Sequence, residues 1–162
     1  MAADPPVLTL KNAAVGFGGT PLFTGAEMAV TPGMRACLVG RNGTGKSTIL
    51  KLLAGLLEPD EGDLYVQPGL TVGYLPQDVP LPDDMLIADF VARMGAQLGM
   101  SPDEAPRHEV DAALSRVDID GTRNVDSLSG GESRRVAIAG ALLGDPDVLL
   151  LSYTGCFTFM KW

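Results

Sequence analysis

Residues 40–47 read Gly-Arg-Asn-Gly-Thr-Gly-Lys-Ser and fill the pattern G-x-x-x-x-G-K-[ST] at every fixed position. Glycines let a backbone curl until successive N–H groups point at one spot, which suits phosphate oxygens. Lys46 supplies a full positive charge for terminal phosphates, and the Ser47 hydroxyl is a ligand for Mg²⁺. Gly40, Asn42, Gly43, Thr44, Gly45, Lys46, Ser47 and Thr48 are therefore the candidate nucleotide-binding residues, with ATP and Mg²⁺ the implied ligands. A chance glycine-rich turn is the plainer alternative. A buried strand before the loop and a helix after it count against that alternative, because the helix start adds partial positive charge at the same place.

A second glycine motif follows at residues 128–132, Leu-Ser-Gly-Gly-Glu. Ser129 and Glu132 have the spacing of a capping box, so an ordinary helix start explains part of it. It does not explain Gly130 and Gly131, since glycine in a helix costs stability compared with alanine. Two glycines there make sense if something approaches the backbone closely, and a bare helix N-terminus is a second phosphate-binding surface.

The elements that must hold these loops are legible as short runs. Alternation at 7–10 reads as a strand and 27–30 is a second strand candidate, ended by Gly16, Gly18 and Gly19 and by Thr31-Pro32-Gly33. The apolar run 34–39 predicts a strand covered on both faces, as in a parallel sheet. Residues 46–57 carry a broad leucine stripe at helical spacing. Strands are expected at 63–67, 70–75 and 148–151. A mostly helical stretch is expected at 83–117, interrupted at 99–106, with a further helix at 131–143. No internal repeat or low-complexity tract is present.

The 162 residues suit one domain, and 46% apolar content suits a packed core. A net charge of −8 argues against non-specific binding to nucleic acid or acidic membrane. The first residues carry neither a basic nor an apolar leader signal. No apolar stretch nears the ~20 residues of a membrane span. These features predict a cytoplasmic chain that does not itself insert in a membrane. Two cysteines are too few for a disulfide framework, and Cys37, inside the apolar run, is expected to be a buried, inert thiol. His108, the only histidine, is expected at the surface.

The phosphate loop, Tyr74-Leu75-Pro76-Gln77 and Leu-Ser-Gly-Gly-Glu come in the order of an ABC ATPase domain. Gly16-Phe17-Gly18-Gly19, Val39-Gly40-Arg41-Asn42-Gly43, Gly73-Tyr74 and Ser129 through Val136 resemble the ABC-F family, within it the Uup-like group. The resemblance covers residues 7–151. It implies an α/β P-loop NTPase core with an antiparallel β subdomain and a helical subdomain at about 83–143. Phe17 would stack on adenine, though an aromatic at a strand end is also a core candidate. Gln77 would touch Mg²⁺ and the attacking water, though alone it would read as a solvated loop residue. Lys46 and Gln77 are the candidate catalytic residues, and Ser47 and Gln77 the candidate metal ligands. Ser129, Gly130, Gly131 and Glu132 would meet the γ-phosphate of ATP held by a second cassette, in cis or in a homodimer. The resemblance further implies ATP hydrolysis coupled to action on the ribosome, with DNA as an alternative partner. Only 50 residues separate Gln77 from Leu128, so any helical arm between them is short.

The chain departs from the family after Leu151. The family continues Asp-Glu-Pro-Thr-Asn-His-Leu-Asp, where Asp orients the hydrated metal and Glu activates water; here Ser152 and Tyr153 follow. A hydroxyl lacks the charge that orients a metal hydrate, and tyrosine, titrating near ~10, is a poor base at neutral pH. The family's later switch histidine is also absent. Residues 152–162 hold four of nine aromatics and no acid. They read as an aberrant tail, from a frameshift or recombination, on a truncated first cassette that is incomplete at its C-terminus. ATP binding without competent turnover is the expectation. A parallel strand after Leu151 needs a crossover of about a dozen residues, so an open apolar sheet edge and a marginal fold are expected. A transporter's ATP-binding subunit, or a gene remnant without function, are the competing readings.

Overall fold

The computed structural model describes residues 4–97, 105–143, 145–153 and 156–160. They form two compact units, one of Met1–Tyr74 with Asp147–Trp162, the other of Leu75–Pro146.

In the first unit, β1 (Leu8–Phe17) pairs antiparallel with β2 (Thr20–Val30) and with β4 (Glu61–Val66), in the order β2-β1-β4. These strands run well beyond the expected 7–10 and 27–30. Register shifts after Leu10 and Ala13 let β1 continue through Asn12, which adopts a positive φ of 48°. Gly62 lies where a Cβ would come within 2.4 Å of the Lys11 and Asn12 carbonyls, so only glycine fits opposite that bulge.

The second sheet has the order β3-β7-β6-β5, from β3 (Arg35–Cys37), β7 (Cys156–Met160), β6 (Val148–Tyr153) and β5 (Val72–Leu75). Helix α1 (Lys46–Leu53) packs against β1 and β6. The core gathers Leu8, Leu10 and Val15 of β1, Leu50, Leu52 and Leu53 of α1, and Val148 and Leu150 of β6.

Four expectations need correction. The strand expected at 34–39 keeps only three residues, on a sheet edge with alternating exposure, because an edge strand is paired on one side only. Cys37 is accordingly exposed, and it is disulfide-bonded rather than a buried thiol. Helix α1 stops at Leu53, since Gly55 turns left-handed with φ 70°, leaving Leu56 exposed off the expected stripe. The expected open edge is filled: β7 pairs antiparallel with both β3 and β6. Because β7 is antiparallel to both, β3 and β6 run the same way with β7 opposed between them.

The second unit packs α2 (Ile87–Gln97), α3 (Arg107–Arg116) and α4 (Gly130–Ala141) on one another. Gly140 has no room for a side chain, because a Cβ would come within 2.5 Å of the Met94 sulfur. The expected interruption at 99–106 falls largely outside the described residues. His108 is exposed, as expected. Among the described residues, no helix is long and apolar enough to cross a membrane.

Candidate functional site

The loop from Gly40 leaves β3 and enters α1 at Lys46. Gly43 and Gly45 take positive φ values of 84° and 89°, which side-chain-bearing residues rarely adopt. Gly45 is doubly required, because a Cβ there would lie 2.8 Å from the Phe23 ring and 3.1 Å from Leu22. Strand β2 thus braces the loop from behind. Thr44 closes the turn, donating its N–H and hydroxyl to the Arg41 carbonyl at 3.4 and 2.8 Å.

Lys46 is 8% exposed, and its Nζ donates to the Gly40 and Arg41 carbonyls at 2.7 and 2.6 Å. The ammonium is therefore held inside the ring of the loop, not splayed into solvent. The N-cap of α1 is Gly45, with no side-chain cap and no acidic residue in the first turn. That helix start consequently keeps its partial positive charge beside the ammonium. Asn42 and Ser47 are exposed and Thr48 is half-buried. The arrangement is a cationic, amide-lined cradle that fits a polyphosphate.

Phe17 ends β1 and is 64% exposed, next to Gly18 and Gly19 in left-handed conformations. It is not a core residue, and its face is open for stacking. The Asp60 carboxylate accepts the Gly16 N–H at 2.7 Å and steadies that turn. Gln77 follows β5 and is exposed. The phosphate loop and Phe17 belong to the first unit, and Gln77 and residues 129–132 to the second.

At α4 the capping box is complete. Ser129 Oγ accepts the Glu132 N–H at 3.3 Å, and Glu132 Oε2 accepts the Ser129 N–H at 2.9 Å. A Cβ on Gly130 or Gly131 would meet nothing within 4 Å, and neither has a positive φ. Among the described residues, no packing or backbone constraint asks for glycine there. Sequence reasoning missed the partner of Glu132: Arg123 donates to its Oε1 at 2.7 Å and to the Ser127 carbonyl at 3.1 Å. A nine-residue separation across a turn carries no helical or strand periodicity that would betray the pair. Arg123, then the Ser129 N–H and hydroxyl contacts, hold the Glu132 carboxyl at about 2.

Ser152, at the family's Asp position, is 2% exposed and shares a hydrogen bond with Tyr74. Burial pushes the Tyr74 hydroxyl above its ordinary value, and the Ser152 contact partly offsets this. The exposed Ser47 hydroxyl stands at the helix start, and position 152 offers no carboxylate.

The sequence profile described as ABC transporter matches residues 23–152, and the chain belongs to that family, with its α/β P-loop ATPase fold. It is similar to the ATP-binding protein Uup of Caulobacter vibrioides, 45% identical over 150 residues, 92% of this chain and 23% of that protein. That likeness agrees with the Uup-like wording of the motifs. It is also similar to the zinc import ATP-binding protein ZnuC of Alcanivorax borkumensis, 36% identical over 151 residues, 90% of this chain and 56% of that one. A solved structure of a bacterial Atm1-family ABC exporter with ATP bound superposes with a TM-score of 0.71 at 29% identity, over 93% of this chain and 29% of that one. The chain thus spans less than two thirds of the length of each of these relatives.

Proposed function

We propose that this cassette binds Mg-ATP on residues 40–47 without competent turnover, as part of an ABC-F type ATPase. The observation that supports it most is Lys46, held against the Gly40 and Arg41 carbonyls at an uncapped helix start. On ATP binding the ammonium exchanges those carbonyls for β- and γ-phosphate oxygens. Loop N–H groups and the Ser47 hydroxyl then take the remaining charge and the metal. Phe17 stacks on adenine, and Gln77 lies near the metal and attacking water. Ser129, Gly130 and Gly131 serve the ATP of a second cassette. Turnover fails because Ser152 is buried against Tyr74 and supplies no carboxylate.

Calorimetry with Mg-ATP tests the binding: heat of association is expected, and Lys46→Ala removes it. A phosphate-release assay showing Mg-dependent turnover abolished by Lys46→Ala would refute the turnover half. The ribosome is the proposed partner, DNA the next; ATP-dependent co-sedimentation with ribosomes checks this. The likeness to ZnuC supports a second reading, an ATP-binding subunit of a membrane transporter. ATP-dependent association with a permease, and none with ribosomes, would favour it.

A further inference from the structure

We propose that Arg123 is a positioning residue for the turn that meets a second cassette's ATP. Its guanidinium pins the Glu132 carboxylate against the Ser129 N–H and neutralises it, so that a triphosphate can approach Gly130 and Gly131. This rests on the reading of Ser129–Gly131 given above.

Three observations carry it. Glu132 is the acidic residue in the first turn of α4, close to where an anion would arrive, and a bare carboxylate there would repel it. Both its oxygens are committed, Oε2 to the Ser129 N–H at 2.9 Å and Oε1 to Arg123 at 2.7 Å. The second guanidinium nitrogen reaches the Ser127 carbonyl at 3.1 Å, so one planar fork ties both sides of Ser129. Arg123 is itself held, because its carbonyl accepts the Ile87 N–H at 2.9 Å and its N–H donates to the Asp120 carbonyl at 3.3 Å. Meanwhile the space over Gly130 and Gly131 stays open. The fork draws the capping carboxylate inward and leaves the glycine face to the incoming phosphate.

The test uses ¹⁵N-labelled chain carrying Lys46→Ala, which disables the first phosphate site, titrated with inorganic triphosphate. The Gly130 and Gly131 amide resonances should shift. Adding Arg123→Gln should weaken that response roughly tenfold, the loss expected for a charge-assisted contact. Adding Arg123→Gln and Glu132→Gln together should recover most of it. The new amide still accepts from Ser129, and the unpaired charge is gone. Arg107→Gln, which breaks exposed pairs to Asp89 and Asp111 in the same unit, serves as the control and should change nothing. If Arg123→Gln does not fold, Arg123→Lys should fall between parent and double variant in affinity. The proposal is overturned if the glycine amides of the parent ignore triphosphate, if Arg123→Gln titrates like the control, or if the double variant is no better than Arg123→Gln. Binding at the first site is judged separately, by calorimetry with Lys46 intact.

Discussion

Tyr74 and Ser152 meet inside the first unit, sharing a hydrogen bond at the position where the family carries its metal-orienting aspartate. The pair satisfies a hydroxyl that is almost fully buried, so removing one partner strands the other. Tyr74→Phe or Ser152→Ala alone should each cost about 1 kcal/mol of unfolding free energy. The double variant should cost less than their sum. Urea denaturation in a double-mutant cycle reads this, and strict additivity would show that the two hydroxyls do not interact.

Ser152→Asp makes the complementary point. A carboxylate at a site 2% exposed should lower the stability of the nucleotide-free chain by about 1–3 kcal/mol. Mg-ATP should then raise the melting temperature more in this variant than in the parent, because the metal now has an acid to bind. Equal shifts in the two proteins would mean that position 152 does not face the metal.

Gly45 is where loop geometry and packing coincide. Gly45→Ala forces a Cβ into a left-handed conformation, worth about 1–2 kcal/mol, and against Phe23 at 2.8 Å. Thermal unfolding should show the loss, and Mg-ATP affinity should fall with it. Lys46→Ala is expected to act differently. It removes the charge and should weaken ATP binding by at least roughly tenfold while leaving the glycine backbone free to curl.

What the sequence made legible was local. The phosphate loop, both glycine motifs and the helix at α4 follow from residue types whose backbone preferences or charges act within a few positions. Apart from Leu56, the departures from expectation are non-local. Leu56 fits the helical stripe but lies past a left-handed Gly55. The run around Cys37 looks doubly covered, yet it occupies a sheet edge. No periodicity reveals that β7 would return antiparallel beside β3, because hairpin pairing depends on the space left in the sheet. The Arg123–Glu132 pair is hidden because nine residues across a turn follow no helical or strand period.

Glu132 also sets an acid limit. Its carboxyl is lowered from 4.5 to about 2 by Arg123 and Ser129. A group depressed in the folded state contributes stability that is complete above its unfolded value and is lost as pH falls through the folded value. The stability difference between the parent and Glu132→Gln should therefore be constant above about pH 4.5. It should shrink between 4.5 and 2. Denaturation of both proteins across that window measures it, and a difference that persists at pH 2 would contradict the assignment.

Gly130 and Gly131 should separate stability from function. Neither has a positive φ nor a neighbour within 4 Å of a Cβ, and both stand in the first turn of α4. Alanine at either position should therefore stabilise the fold, by up to about 0.5–1 kcal/mol on helix propensity. The same methyl groups would occupy the face proposed to meet a second cassette's γ-phosphate. Gly131→Ala should thus melt higher than the parent yet associate less with a second copy in the presence of Mg-ATP, as read by sedimentation velocity. A variant that gains stability and keeps its ATP-dependent association would show that the glycines do not serve phosphate contact. A variant that loses stability would show that some constraint within α4 demands them after all.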